Sequence, residues 1–158
     1  MAQPSDALQV VALIHDSFQE YYGRLNPPSA ALRENATTIA AEMEDGSTAF
    51  IARLGEVAIG CVVARAKGND LYFGRLSVLP KFRGVGAAAQ LVGAVEKAAI
   101  EGRHDGVLLA VRIALPGNQR FFARLGYSEI GRTAHAGFDH PTSIDMRKSI
   151  DTIRNERR

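Results

Sequence analysis

The sequence predicts a mixed α/β (α+β) fold, a mostly antiparallel central sheet flanked by helices, with elements in the order ααβββαβαββ. Three observations carry this. Two segments of helical period open the chain, and three of strand character follow them. A strand–turn–helix–strand crossover then occupies the middle, and two alternating segments close the sequence. A single crossover makes one parallel strand pair in a sheet otherwise built from antiparallel neighbours.

The first helix is expected from Asp6 to about Leu25, with apolar residues at Leu8, Val11, Ile14, Phe18, Tyr22 and Leu25. Ser5 or Asp6 is placed to cap its start. Asn26-Pro27-Pro28-Ser29 breaks it, and Ser29 is read as the cap of a second helix that runs to Glu44 and stops at Asp45-Gly46-Ser47. Strands follow at Thr48 to Leu54 and Val57 to Ala66, joined by the two-residue turn Gly55-Glu56. Lys67-Gly68-Asn69-Asp70 turns into a third strand, Leu71 to Leu79. Residues Ala87 to Glu101 form a helix with Leu91, Val92, Val95 and Ala99 on one face. Val107 to Arg112 is a nearly unbroken apolar run, expected to be buried on both faces. Pro116 to Arg124 is a short helix ended by Gly126. Tyr127 to Ala134 and Thr142 to Arg147 are the last strands.

With 158 residues the chain has room for one domain with a real core. Residues 1–150 are read as that domain and 151–158 as a basic C-terminal tail. The apolar runs are strand-sized, too short to span a bilayer, and the first six residues hold neither a basic residue nor a signal-peptide core. The single cysteine, Cys61, rules out an internal disulfide and fits a cytoplasmic location; in an apolar strand it reads as core filler. Charge is uneven: residues 1–60 carry −5 and residues 61–158 carry +7. The basic half suits an anionic cofactor, and no series of base-stacking aromatics accompanies it to suggest a nucleic acid. The histidines fall at no metal-ligand spacing, and no hydrolase motif is present.

The segment from Leu76 to Ala89 is the most informative. Leu76-Ser77-Val78-Leu79 is a strand end, and Pro80-Lys81-Phe82-Arg83-Gly84-Val85-Gly86 is a glycine-bearing turn. Ala87-Ala88-Ala89 then opens a helix with no side chain larger than a methyl group. Such a turn leaves the first helical N–H groups unpaired, and the helix dipole adds positive charge there, which suits a phosphate or pyrophosphate. Arg83 adds a fixed cation. Two patterns fit. Gly84 to Ala89 reads G-x-G-x-x-A, as in dinucleotide-binding units, and Arg83 to Ala88 reads R-x-x-G-x-A. The first needs glycines directly after a strand and an acidic residue closing the next one. Here four residues intervene, and Arg112 closes the next strand, which leaves only an NADP-type variant.

With Phe121-Phe122-Ala123-Arg124-Leu125-Gly126-Tyr127 as a second motif at the right order and spacing, the chain resembles the GCN5-related N-acetyltransferase family over nearly its whole length. The resemblance implies an acyl-CoA N-acyltransferase-like fold and acetyl-CoA as cofactor, held between strands 71–79 and 107–112. Backbone groups of Leu76, Ser77 and Val78 would pair with the pantetheine arm. Arg83 and the amides of Gly84, Val85, Gly86, Ala87, Ala88 and Ala89 would hold the pyrophosphate. Asn118 and Phe122 would also face the cofactor, and the Val78 N–H would donate to the thioester carbonyl as an amine attacks it directly. The partner implied is a small-molecule or peptide amine, with no nucleic acid and no membrane. The assembly stays open between monomer and homodimer.

Two positions depart from the family pattern. Many members carry at the position of Phe122 a tyrosine that protonates the leaving thiolate, and phenylalanine cannot. Seven residues earlier, where many have asparagine, this chain has Leu115, and the nearest asparagine, Asn118, is equally placed to cap its helix. Tyr127 reads as sheet core. No residue is singled out as general base: Glu20, His15, Tyr21, Tyr22, Arg75, His135 and His140 are all candidates with ordinary structural readings beside them. The missing tyrosine keeps a non-catalytic acyl-CoA-binding or sensing domain in view beside the enzyme.

Overall fold

The computed structural model describes residues 1–158. In chain order the elements are α1 (Ala7–Phe18), α2 (Ala36–Glu44), β1 (Thr48–Leu54), β2 (Val57–Lys67), β3 (Asp70–Val78), α3 (Ala87–Glu101), β4 (Gly106–Arg112), α4 (Pro116–Arg124), β5 (Ser128–Thr133), β6 (Ser143–Ser149) and α5 (Ile150–Glu156), with short 3-10 turns between some of them. The strands are hydrogen-bonded in the order β1-β2-β3-β4-β6-β5. β1 with β2, β4 with β6 and β5 with β6 are antiparallel. β3 and β4 are parallel, Leu71 facing Val107 and Tyr72 facing Leu108, as the single crossover through α3 requires. The expected order of elements is found, with one helix added at the end. No helix is long and apolar enough to cross a membrane.

The chain divides into two compact units, Met1–Arg65 with Phe73–Val95 and Ala66–Tyr72 with Glu96–Arg158. In the first, α1 sets Ala7, Val10, Val11, Leu13 and Ile14 into a core with Ile39, Ala49, Cys61 and Val63. The buried face of α1 differs from the expected stripe. Ala7, Val10, Ile14 and Ser17 lie on it, whereas Leu8 is 73% exposed and Tyr22 74%. The helix also ends earlier than read, at Phe18, and tightens into a 3-10 turn over Gln19–Tyr21. Asp6 does not cap it, since its carboxylate turns back to accept from the Gln3 N–H at 2.8 Å. The second expected helix is in two pieces. Ser29 caps only the 3-10 turn Ala30–Arg33, accepting from the Ala31 N–H. Glu34 is extended, and Asn35 begins α2 by accepting from the Thr38 N–H at 2.9 Å. A second strong cap inside a predicted helix is what splits it. Cys61 is buried as read, and burial pushes its thiol up to about 12.

In the second unit, β4 and β6 pair from Gly106↔Ser149 to Arg112↔Ser143. Val107, Leu109 and Val111 are buried while Ala110 is exposed, so β4 alternates instead of burying both faces. The segment read as a basic tail contains α5. Ser149 Oγ accepts from the Thr152 N–H at 3.2 Å, and Ile150 and Ile153, one helical turn apart, are buried. Beneath α5 lies a polar cluster the sequence did not announce. Lys148 Nζ reaches Glu96 Oε1 at 3.1 Å and Glu156 Oε2, and the Tyr127 hydroxyl donates to the same Glu96 Oε1 at 3.2 Å.

Candidate active site

β3 carries the first part of the site. Leu79 N–H donates to the Ile59 carbonyl on β2 at 2.8 Å. Successive amides of a strand point to opposite sides, so the Val78 N–H points away from β2. Ser77 is turned the other way. A Cβ added at Gly60 on β2 would lie 2.4 Å from the Ser77 carbonyl oxygen, and glycine at 60 is what admits that approach. Of the three residues expected to align a pantetheine, Leu76 and Val78 therefore offer their backbone groups on the side away from β2. Ser77 does not. Its side chain is buried, and its Oγ–H donates to the Arg75 carbonyl at 2.9 Å.

Upstream of this stretch β3 is bent. Arg75 has φ +55, a left-handed conformation that a side chain with a Cβ adopts at a cost of about 1–2 kcal/mol. Its guanidinium forks onto Glu42, Nη2 to Oε2 at 2.7 Å and Nη1 to Oε1 at 3.1 Å, and Nη1 also meets Glu34 Oε1 at 2.8 Å. The guanidinium beside it holds the Glu42 carboxyl below its usual range despite partial burial.

Downstream of β3, Pro80–Phe82 forms a 3-10 turn, and Arg83 N–H donates to the Pro80 carbonyl at 3.3 Å. The next turn or cap bond is Gln90 N–H to the Gly86 carbonyl at 3.1 Å. Between these two, the amides of Gly84 to Ala89 have no backbone acceptor. Gly84 and Gly86 sit at φ +85 and +84, conformations glycine adopts without strain, and a Cβ built on either meets nothing within 4 Å. Val85 is 57% exposed. The outcome is an open run of amides without backbone acceptors at the positive end of the fifteen-residue helix α3. That is the geometry a diphosphate needs, so the residues present fit a coenzyme A diphosphate.

Arg83 is not a lone cation beside this turn. Its Nη2 lies 2.6 Å from Glu20 Oε1 in an ion pair, and 3.5 Å from the Ser17 carbonyl at the end of α1. Arg83 in turn holds the Glu20 carboxyl below its usual range. Glu20 is therefore a charge partner of the turn and a poor proton acceptor. Near it, His15 Nε2 and Ser17 Oγ are buried without a hydrogen-bond partner.

The other expected residues belong to the second unit. Asn118 is exposed on the first turn of α4 and does not cap it; Leu115 occupies that position, and Gln119 Nε2 instead ties the turn to the carbonyls of Arg112 and Ile113. Phe122 is buried edge-on between Phe121 and Tyr127, with centroids 5.1 and 6.1 Å away. Tyr127 is sheet core as expected. It is buried, its hydroxyl is committed to Glu96, and burial with that carboxylate raises its pKa. It therefore does not substitute for an acid at position 122. His140 is exposed beside Asp139, with 2.8 Å between Nδ1 and Oδ1. His135 is different. Its ring bonds Thr142 Oγ1 through Nδ1, and Arg112 Nη1 lies 3.0 Å from Nε2 and 3.3 Å from Nδ1. Near-equal distances to both ring nitrogens put the guanidinium over the ring face, because an in-plane atom there would collide with the carbon between them. Burial and this neighbouring cation lower the His135 pKa. The roles of Glu34, Glu42, Glu96 and Lys148 were not read from the sequence. Only Asn35 before α2 hinted that Glu34 lies outside a helix.

A mixed sheet crossed once, with a strand leading through an open amide turn into a helix, is the fold of an acyl-group transferase. The family model described as acetyltransferase (GNAT) matches residues 10–127, and the chain belongs to that family. Proteins of curated function give no match by sequence. Among solved structures, an N-acetyltransferase of Thermoplasma acidophilum in complex with coenzyme A superposes with a TM-score of 0.75 at 15% identity, over 94% of this chain and 95% of that one. A GCN5-related N-acetyltransferase of Rhodopseudomonas palustris gives 0.74 at 23% identity, over 94% and 92%. An aminoglycoside 6′-acetyltransferase gives 0.71 at 22%, over 93% and 91%.

Proposed function

We propose that this acetyltransferase moves the acetyl group of acetyl-CoA to the nitrogen of an amine, in the cytoplasm, where its buried thiol stays reduced. The observation that carries the reading is the row of unpaired amides from Gly84 to Ala89, open at two left-handed glycines and seated at the head of α3. These amides hold the diphosphate. Leu76 and Val78 align the pantetheine with backbone groups on the side away from β2. Bound acetyl-CoA supplies an activated carbonyl and a thiolate leaving group. The Val78 N–H, turned away from β2 by its neighbour's bond to Ile59, would be placed to donate to the thioester carbonyl oxygen where charge grows, lowering the barrier by about 3 kcal/mol. Phe122 has no acidic proton and the Tyr127 hydroxyl is committed to Glu96, so neither would protonate the leaving thiolate. As the C–N bond forms and the C–S bond breaks, the proton lost by the amine would pass to water and one from water would reach the thiolate, whose thiol has a pKa of about 8.5.

Calorimetry tests the reading. Acetyl-CoA and desacetyl CoA bind, and NADPH does not. Gly86→Glu puts a like charge into the amide turn and weakens both CoA forms by more than about tenfold, or 1.4 kcal/mol, with an unchanged circular dichroism spectrum. NADPH binding without either CoA form overturns the proposal. A thiol-release assay over polyamines, an aminoglycoside and peptide amines then seeks the acceptor. Phe122 favours one second reading, an acyl-CoA sensor. Firm cofactor binding with no thiol released from any amine supports it.

A further inference from the structure

The kink at Arg75 stands three residues before Val78, and its chemistry is unusual. A glycine, Gly74, is the preceding residue, yet the left-handed conformation falls on the arginine. Glycine would adopt that conformation freely, whereas arginine does so only if something holds it there. Three contacts do. Glu42 takes the guanidinium in a bidentate fork, Glu34 takes Nη1 from the end of the preceding 3-10 turn, and Ser77 Oγ–H bonds the Arg75 carbonyl from the downstream side. The side chain is 19% exposed and the Glu34 side chain 15%, so these pairs are sheltered from water more than surface ion pairs are.

We propose that Arg75 is a positioning residue for acetyl transfer: its clamp by Glu34 and Glu42 holds β3 in the bent form that aims the Val78 N–H at the thioester carbonyl. The inference rests on the reading of Val78 given above. It assigns to the N-terminal segment, through two carboxylates that never touch the cofactor, control over the amide that stabilises the transition state. Without the clamp, a residue with a Cβ at position 75 relaxes to the extended form, and Leu76 to Val78 turn with it.

The test uses the full chain with acetyl-CoA labelled with carbon-13 at the carbonyl, read by infrared spectroscopy, and with calorimetry for acetyl-CoA and desacetyl CoA. In the unaltered protein the carbonyl stretch is lowered by the Val78 hydrogen bond. Arg75→Gly loses the clamp but keeps the kink, so the lowered stretch persists. Arg75→Ala and the pair Glu34→Gln with Glu42→Gln lose it, and acetyl-CoA binding weakens about fivefold while desacetyl CoA binding stays the same. Adding Arg75→Gly to the double glutamine variant restores the stretch. If Arg75→Ala fails to fold, Glu42→Gln alone takes its place. A lowered stretch in Arg75→Ala or Glu42→Gln overturns the clamp, as does Arg75→Gly behaving like Arg75→Ala. An unaltered protein that binds acetyl-CoA with no shift overturns the reading of Val78 itself, and the clamp with it.

Discussion

At the scale of single residues, the site is built from local exceptions to ordinary backbone and charge rules. Gly84 and Gly86 were legible as loop makers because only glycine is free at φ near +85, and the sequence spaces them for that. Arg75 was not, because nothing in a strand-like string shows which residue will turn left-handed. Arg83 was legible as a cation but not as a paired one. Its partner Glu20 lies 63 positions away in the numbering, where only the folded chain brings them together. That pairing has a consequence. Glu20 compensates part of the charge that a diphosphate meets, so Glu20→Gln frees Arg83 and tightens CoA binding severalfold, most clearly at low salt. Calorimetry at two ionic strengths checks it, and equal or weaker binding at low salt shows Glu20 to be a tether for the loop instead.

At the scale of elements, the strands and α3 were readable to within a residue or two because period and turn chemistry agree there. The errors cluster where a cap competes with a period. Asn35 divides the second helix, and Ser149 starts a helix in what reads as a charged tail. The family motifs placed the turn and the strand, but no motif covers the hairpin of β5 and β6, so the state of His135 had to come from the fold. There, burial and Arg112, the charged group on its ring face from β4, keep its pKa below the usual 6.5. As pH falls through 6.5 the unfolded chain takes up this proton first, so stability is full above that value and is lost as pH falls through the lowered one. The loss is small because His135 is only partly buried. His135→Gln removes it: chemical denaturation at pH 7.5 and 5.5 gives a smaller difference in the variant than in the parent. An unchanged difference assigns the acid sensitivity elsewhere, with Glu42, whose carboxyl loses its charge only at lower pH, as the next group to test.

At the scale of the whole molecule, charge is arranged in two different ways. The excess of basic residues after position 60 is mostly exposed, while one lysine lies inside. Lys148 and Glu96 are both buried, joined at 3.1 Å, and bridge β6 to the latter half of α3; Tyr127 and Glu156 complete the cluster from the motif that follows α4 and from α5. A buried pair of this kind contributes little net stability, because removing both charges from water costs nearly as much as their attraction returns. Breaking it is another matter. Lys148→Met leaves Glu96 buried with a hydroxyl donor and a distant Arg157, whose Nη2 is 3.9 Å from Oε2, and should cost about 3–5 kcal/mol. Against a total stability of about 5–15 kcal/mol for a chain of this size, that is a large share. Combining Lys148→Met with Glu96→Leu removes both charges and should recover most of the loss, with Tyr127 to Phe in the same chain recovering the remainder due to its orphaned hydroxyl. Urea titrations of the parent, single, double and triple variants measure this directly. A double variant no more stable than Lys148→Met alone would mean the cluster supports the fold by more than its ion pair, since Lys148 Nζ also lies over the Tyr127 ring, 5.7 Å from its centroid.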